Sequence, residues 1–134
     1  MQIFDQYKTD LENGFRALQT IQRVVSGAVP GAIPGPEDRN TKDAVRTYTL
    51  AMMVEIAEWV QTVDWKPWKN HDADSHLKEH SSIVAEEFAD ILAFLGILMI
   101  YMDNWNIDAT EVAEAYLAKS EVNMRRITDN LRIE

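Results

Sequence analysis

MMVEIAEWV, residues 52–60, is the stretch on which the fold reading turns. Its apolar residues belong to a longer series, Val45, Tyr48, Met52, Ile56, Trp59 and Val63, spaced three and four apart. Alternation would mark a strand; this rhythm marks one face of a helix. The spacing predicts a helix capped by Asn40 or Thr41 and running to about Asp64. Glu55 and Glu58 fall inside that apolar run, three residues apart, so both side chains share one face.

Moving toward the N-terminus, the stretch AVPGAIPGPEDRN carries three prolines and two glycines and reads as a loop long enough to cover a site. Before it, Ile3, Phe4, Tyr7, Leu11, Phe15, Leu18, Ile21, Val24 and Val25 predict one amphipathic helix from Ile3 to Val25, ending at Ser26-Gly27. In the other direction, WKPWKNHDADSHLKEHSS is polar and broken by Pro67, again a loop. Ser81 or Ser82 is then expected to cap a third helix reaching Ile100, apolar on nearly all sides after Asp90 and so buried between neighbours. Asp108 caps a fourth, roughly Ala109 to Asn130. No segment alternates as a strand would. The expectation is a single all-α domain over residues 1–134, a four-helix core. A helix as apolar as the third wants cover on every side, which predicts a homodimer or homotetramer.

The 134 residues suffice for one core, and with no cysteine neither a disulfide nor a thiolate metal site can form. MQIFDQYKTDLENGF has no basic stretch followed by an apolar one, so no signal peptide is expected, and the longest apolar run, Ile91 to Tyr101, is too short for a membrane span. A soluble, cytoplasmic protein is expected. A formal net charge of −9 argues against binding nucleic acid or an anionic membrane. It also means that a polyphosphate ligand would need a bridging cation.

VAEEFADILAFL, residues 84–95, repeats the acid spacing with Glu87 and Asp90. Two helices each offering an i,i+3 acid pair make an all-oxygen cage suited to Mg²⁺, with Mn²⁺ also possible. The bland reading is a solvated helix face; against it, each pair interrupts an apolar seam, where an uncompensated carboxylate is costly. Glu86 competes with Glu87, but only Glu87 reproduces the first pair's spacing. His71, His76 and His80 suggest zinc, yet no further ligand stands in register, and they read as surface residues. DADSHL lacks the glycine and glutamate of a calcium loop. Di-iron bundles need Glu-x-x-His pairs, which are missing.

Two further features bear on a ligand. Trp65 and Trp68, with Lys66 and Lys69, either plug the core from the loop or wall a pocket for a planar group. Lys119, Asn123 and Arg126 lie at i, i+4 and i+7, with Tyr116 one turn earlier. They form either an ordinary charged surface, paired for instance with Glu121, or a grip on phosphate oxygens.

Taken together, EIAEWVQTVDWKPWK (residues 55–69) followed by EEFAD (residues 86–90) resembles the Glu-x-x-Glu and Glu-x-x-Asp signature of the all-α nucleoside triphosphate pyrophosphatases, the superfamily of MazG and the dimeric dUTPases. The order of acid pair, Trp-Lys-x-Trp-Lys loop and second acid pair is most similar to the dimeric dUTPases. Tyr116-x-x-Lys119-x-x-x-Asn123-x-x-Arg126 resembles their phosphate-binding segment, and Leu18-Gln19-x-x-Gln22 the stretch that contacts uracil.

The resemblance implies Mg²⁺ held by Glu55, Glu58, Glu87 and Asp90, and hydrolysis of a nucleoside triphosphate, foremost dUTP, to the monophosphate and pyrophosphate, a nucleotide-pool sanitation reaction. It makes Glu58, or else Glu55, the residue that orients the attacking water. Lys119, Asn123, Arg126, Tyr116 and Lys69 become phosphate contacts, Trp65 or Trp68 the wall of the base pocket, and Gln19 or Gln22 the reader of the base edge. Amides accept uracil or cytosine by orientation, so dCTP is an alternative substrate. A MazG-like enzyme of broader specificity and a non-enzymatic helical interaction protein are the competing readings.

Overall fold

A computed structural model describes residues 3–28, 41–63 and 80–133. Most of the two expected loops, residues 29–40 and 65–79, with Trp65, Trp68, Lys69, His71 and His76, lies outside the described residues, whereas Ser81 and Ser82 at the end of the second are helical. Within them the chain is all-α: four helices and no strand. Helix α1 spans Lys8–Gly27, α2 Thr41–Thr62, α3 Ser81–Asp103 and α4 Ala109–Ile133.

The ends differ from expectation in instructive ways. Residues Asp5–Tyr7 form a 3-10 turn, so the first α-helix begins at Lys8 and not at Ile3. The cap of α3 is His80, without a side-chain cap bond, and Ser81 is already helical; neither serine is the cap. Helix α3 also runs one turn past Ile100, and α4 continues beyond Asn130. Asp108 does cap α4: its Oδ1 accepts the Glu111 backbone N–H at 2.9 Å. Between α3 and α4 the Asn106 N–H donates to Asp103 O and the Ile107 N–H to Met102 O, with Asn106 left-handed at φ 61°. This is the hydrogen-bond pattern that ends a helix on a left-handed residue, and it reverses the chain within five residues.

Contacts set the helix directions. Lys8 pairs with Glu114 and Arg16 donates to Thr110, so α1 and α4 are antiparallel. Gln19 reaches Met99 and Arg23 reaches Asp103, equal steps along both helices, so α1 and α3 run the same way. Asn104 bonds Thr41, Tyr48 stacks on Tyr101 and touches Phe94, and Trp59 meets Phe88; α2 and α3 are antiparallel.

Helix α3 is the centre of the bundle, in contact with both α1 and α2. Its residues Leu98 to Tyr101 are buried, joined from α4 by Ala109, Ala113 and Leu117. This is the burial that its unbroken apolar character predicts. Gly96 permits the closest approach: a Cβ there would stand 2.8 Å from the Leu18 carbonyl oxygen and 3.0 Å from Gln22 Cγ.

Candidate metal centre and nucleotide site

The antiparallel register brings the acids together. The alignment that sets Thr41 beside Asn104 and Trp59 near Phe88 also sets Glu55 across from Asp90 and Glu58 across from Glu87. One carboxylate oxygen from each of Glu55, Glu58 and Glu87 lies within 4.8 Å of the other two. Glu55 and Glu87 are half-buried and Glu58 is exposed. Oε2 of Glu55 and Oε2 of Glu87 are shut off from solvent without a hydrogen-bond partner among the described residues.

Such oxygens are expensive when charged. Accordingly, partial removal from water pushes the Glu55 carboxyl above its ordinary value of 4.5. The charge of Glu58 and a hydrogen bond with it add to the rise, followed by the charges of Asp90 and Glu87. Two orphaned carboxylate oxygens in a group of like charges fit a hard divalent cation: the three converging groups are all oxygen donors, and a cation would satisfy both oxygens and remove the repulsion. Beside the acids, Trp59, Ser81, Val84, Ala85 and Phe88 line a largely apolar pocket of about 480 Å³. Trp59 and Phe88 directly follow Glu58 and Glu87 in sequence, and their rings touch at 5.5 Å between centroids. Neither stands out in the sequence as anything but core.

The other expected site residues are not all gathered here. Tyr116, Lys119, Asn123 and Arg126 are exposed on α4. Helix directions put them at the same end of the bundle as the acids, the end where α1 and α3 begin. Helix α4 packs on α1, however, and among the described residues no ion pair or hydrogen bond links this stripe to the four acids. Glu121 is taken by Arg125, at 3.0 Å, and not by Lys119 or Arg126.

Gln22 is half-buried where α1 crosses α3 at Gly96. Gln19 is buried, and its amide nitrogen is committed to the α1–α3 contact: Nε2 donates to Met99 O at 3.1 Å and to Asp103 Oδ2 at 3.3 Å. Only its carbonyl oxygen is left for a ligand. Asp103 and Arg23 escaped the sequence reading because nothing in their spacing marks a partner eighty residues away.

These features define a class: an all-α bundle with a carboxylate centre built between two antiparallel helices. A family model described as dUTPase matches residues 32–104, which covers α2, both acid pairs and α3. More than half of the chain is matched, and the chain belongs to the dUTPase family. Among curated proteins and solved structures there is no match.

Proposed function

We propose that the protein hydrolyses a (deoxy)nucleoside triphosphate, foremost dUTP, to the monophosphate and pyrophosphate with Mg²⁺. The observation that carries this is the convergence of Glu55, Glu58 and Glu87, with two of their oxygens buried and unpartnered in a dUTPase-family chain. Glu55, Glu58, Glu87 and Asp90 would hold the ion, which supplies charge neutralisation of the triphosphate when bound. Glu58 is the one exposed member of the trio, so its carboxylate is the one best placed to orient a water toward phosphorus. Attack breaks the α–β linkage: the water oxygen joins phosphorus, its protons pass to solvent by way of the glutamate, and pyrophosphate leaves with the bridging oxygen. Lys119, Asn123, Arg126 and Tyr116, with Lys69, grip the phosphates as charge develops. Trp65 or Trp68 walls the base and Gln19 or Gln22 reads its edge. Self-association into a homodimer or homotetramer completes the cover of the bundle.

Pyrophosphate release from a panel of dNTPs and NTPs, with and without Mg²⁺, tests this reading. Glu58→Gln is expected to lower kcat by about 100-fold or more while the fold persists by circular dichroism. Release from several bases alike would favour the MazG-like reading. No release from any nucleotide would leave the helical interaction protein.

A further inference from the structure

We propose that the C-terminal half of α4 docks on the outer face of α2 in a second copy of the chain, antiparallel, with Lys119 beside that copy's Glu58. The inference rests on the proposed self-association and names the two surfaces that carry it.

Helix α4 outruns its own bundle. Phe4, Tyr7 and Leu11 flank it only as far as Ser120, around one shared pocket. Glu121 is buried, and every residue from Val122 to Leu131 is exposed. A bare helix end of this length has little besides propensity to hold it. Yet Met124, Ile127 and Leu131, between 46% and 68% exposed, continue the seam that Ala113 and Leu117 begin inside the core. The steps from Ala113 onward are four, seven, three and four residues, the spacing of a single helix face.

Helix α2 offers a face of the same kind. Leu50, Met53, Val54 and Ala57 are exposed at i, i+3, i+4 and i+7, and Glu58, also exposed, follows at i+8. Helix α3 takes the opposite side, through Tyr48 and Trp59.

The two faces complement each other in charge as well as in apolar surface. In steps of four, α2 presents the row Leu50, Val54, Glu58, and α4 the row Leu131, Ile127, Asn123, Lys119. Such rows are the ridges by which helices pack. Each runs from an apolar end to a charged end, and the charges are opposite. Laid antiparallel, Lys119 meets Glu58 while Ile127 and Leu131 meet Val54 and Leu50. Laid parallel, the acid would face leucine and so would the cation. The lengths agree, since Leu50 to Glu58 and Lys119 to Ile127 are each about 12 Å at 1.5 Å per residue. Residues 119–132 hold four cations and two acids in a chain of net charge −9, and they would land where Glu55, Glu58 and Glu87 crowd together. Helix α4 leaves the bundle at the end where the acids lie, so a second copy met end to end presents the Glu58 end of α2 first. The exchange is reciprocal and closes as a two-fold pair.

The chain has no cysteine, so introduced cysteines report this contact without background. Val54→Cys and Ile127→Cys chains, mixed and mildly oxidised, are expected to give a disulfide-linked pair on a non-reducing gel, well above what either variant forms alone. Light scattering should give the wild type a mass of at least two chains. Ile127→Glu should raise the dissociation constant roughly 10-fold or more, whereas Val122→Glu, on the other side of α4, should leave it within about twofold. Both positions are exposed, so circular dichroism should show the fold intact. Lys119→Glu should weaken the pair, and Lys119→Glu combined with Glu58→Lys should restore it.

An oligomer trapped more readily by Ile127→Cys alone, or by Val54→Cys alone, overturns this contact and leaves self-association standing. So does an oligomer indifferent to Ile127→Glu. A wild-type monomer at micromolar concentration overturns both. No readout uses a nucleotide, so failure of the proposed reaction leaves the result unaffected.

Discussion

Glu55 shows what a single residue contributes by being in the wrong place for stability. Its pKa is raised in the fold, so the native state holds a proton at pH values where the unfolded chain has released it. The native state gains relative stability below the ordinary glutamate value of 4.5 and loses it as pH rises through the raised folded value. We expect the melting temperature of the metal-free protein, followed by circular dichroism, to fall as pH rises across that window. Glu55→Gln should raise the metal-free melting temperature and abolish the further rise on adding Mg²⁺. A variant that loses stability in both conditions would show that the acids are structural.

The acid pairs were legible because each interrupts an apolar seam, a local pattern. The committed amide of Gln19 was not: beside Thr20, Gln22 and Arg23 it looks like a solvated position. Only the approach of α3 makes it an interior one.

At the level of elements, helix existence could be read from spacing, but helix ends could not, because they depend on single backbone groups. His80 displaces Ser81 as the cap of α3, and the 3-10 turn at Asp5–Tyr7 delays α1. Two positions carry predictions. Gly96→Ala would force α1 away from α3, at a cost of about 1–3 kcal/mol in urea unfolding. Because it moves Gln19 and Gln22, it should also raise KM more than it lowers kcat. Asn106 occupies a left-handed conformation that glycine adopts without penalty and a β-branched residue resists. Asn106→Gly is expected to be neutral or stabilising, whereas Asn106→Val should cost about 1–2 kcal/mol.

At the scale of the molecule, the fully enclosed apolar residues among the described ones are Leu98 to Tyr101 on α3 and Ala109, Ala113 and Leu117 on α4, with α1 packed on both helices. Ile100, 2% exposed, is one of them, and Ile100→Ala should cost about 2–5 kcal/mol. Meanwhile Leu50, Met53 and Val54, between 57% and 63% exposed, line the side of α2 turned away from α3. A helix apolar on two opposite faces is one that something else covers. Light scattering is expected to give a mass above the 15.4 kDa of one chain, and Met53→Glu to lower it toward that value. A wild-type monomer at micromolar concentration would contradict the proposed self-association. The sequence expectation of self-association rested on the apolar third helix, whereas the exposed apolar side chains named here lie on α2; a single chain's pattern does not say which helix faces meet another copy.

The antiparallel register of α2 and α3 has a consequence for how this chain tolerates changes in length. Glu55 and Glu58 meet Glu87, and feel the charge of Asp90, only while both helices keep phase from the Thr41–Asn104 contact onward. One inserted alanine between Tyr48 and Glu55 would preserve the helix and its composition, yet swing the first acid pair about 100° around the axis. Single-residue insertions inside either helix should therefore part the two acid pairs and abolish stabilisation by Mg²⁺ while the helix content read by circular dichroism persists.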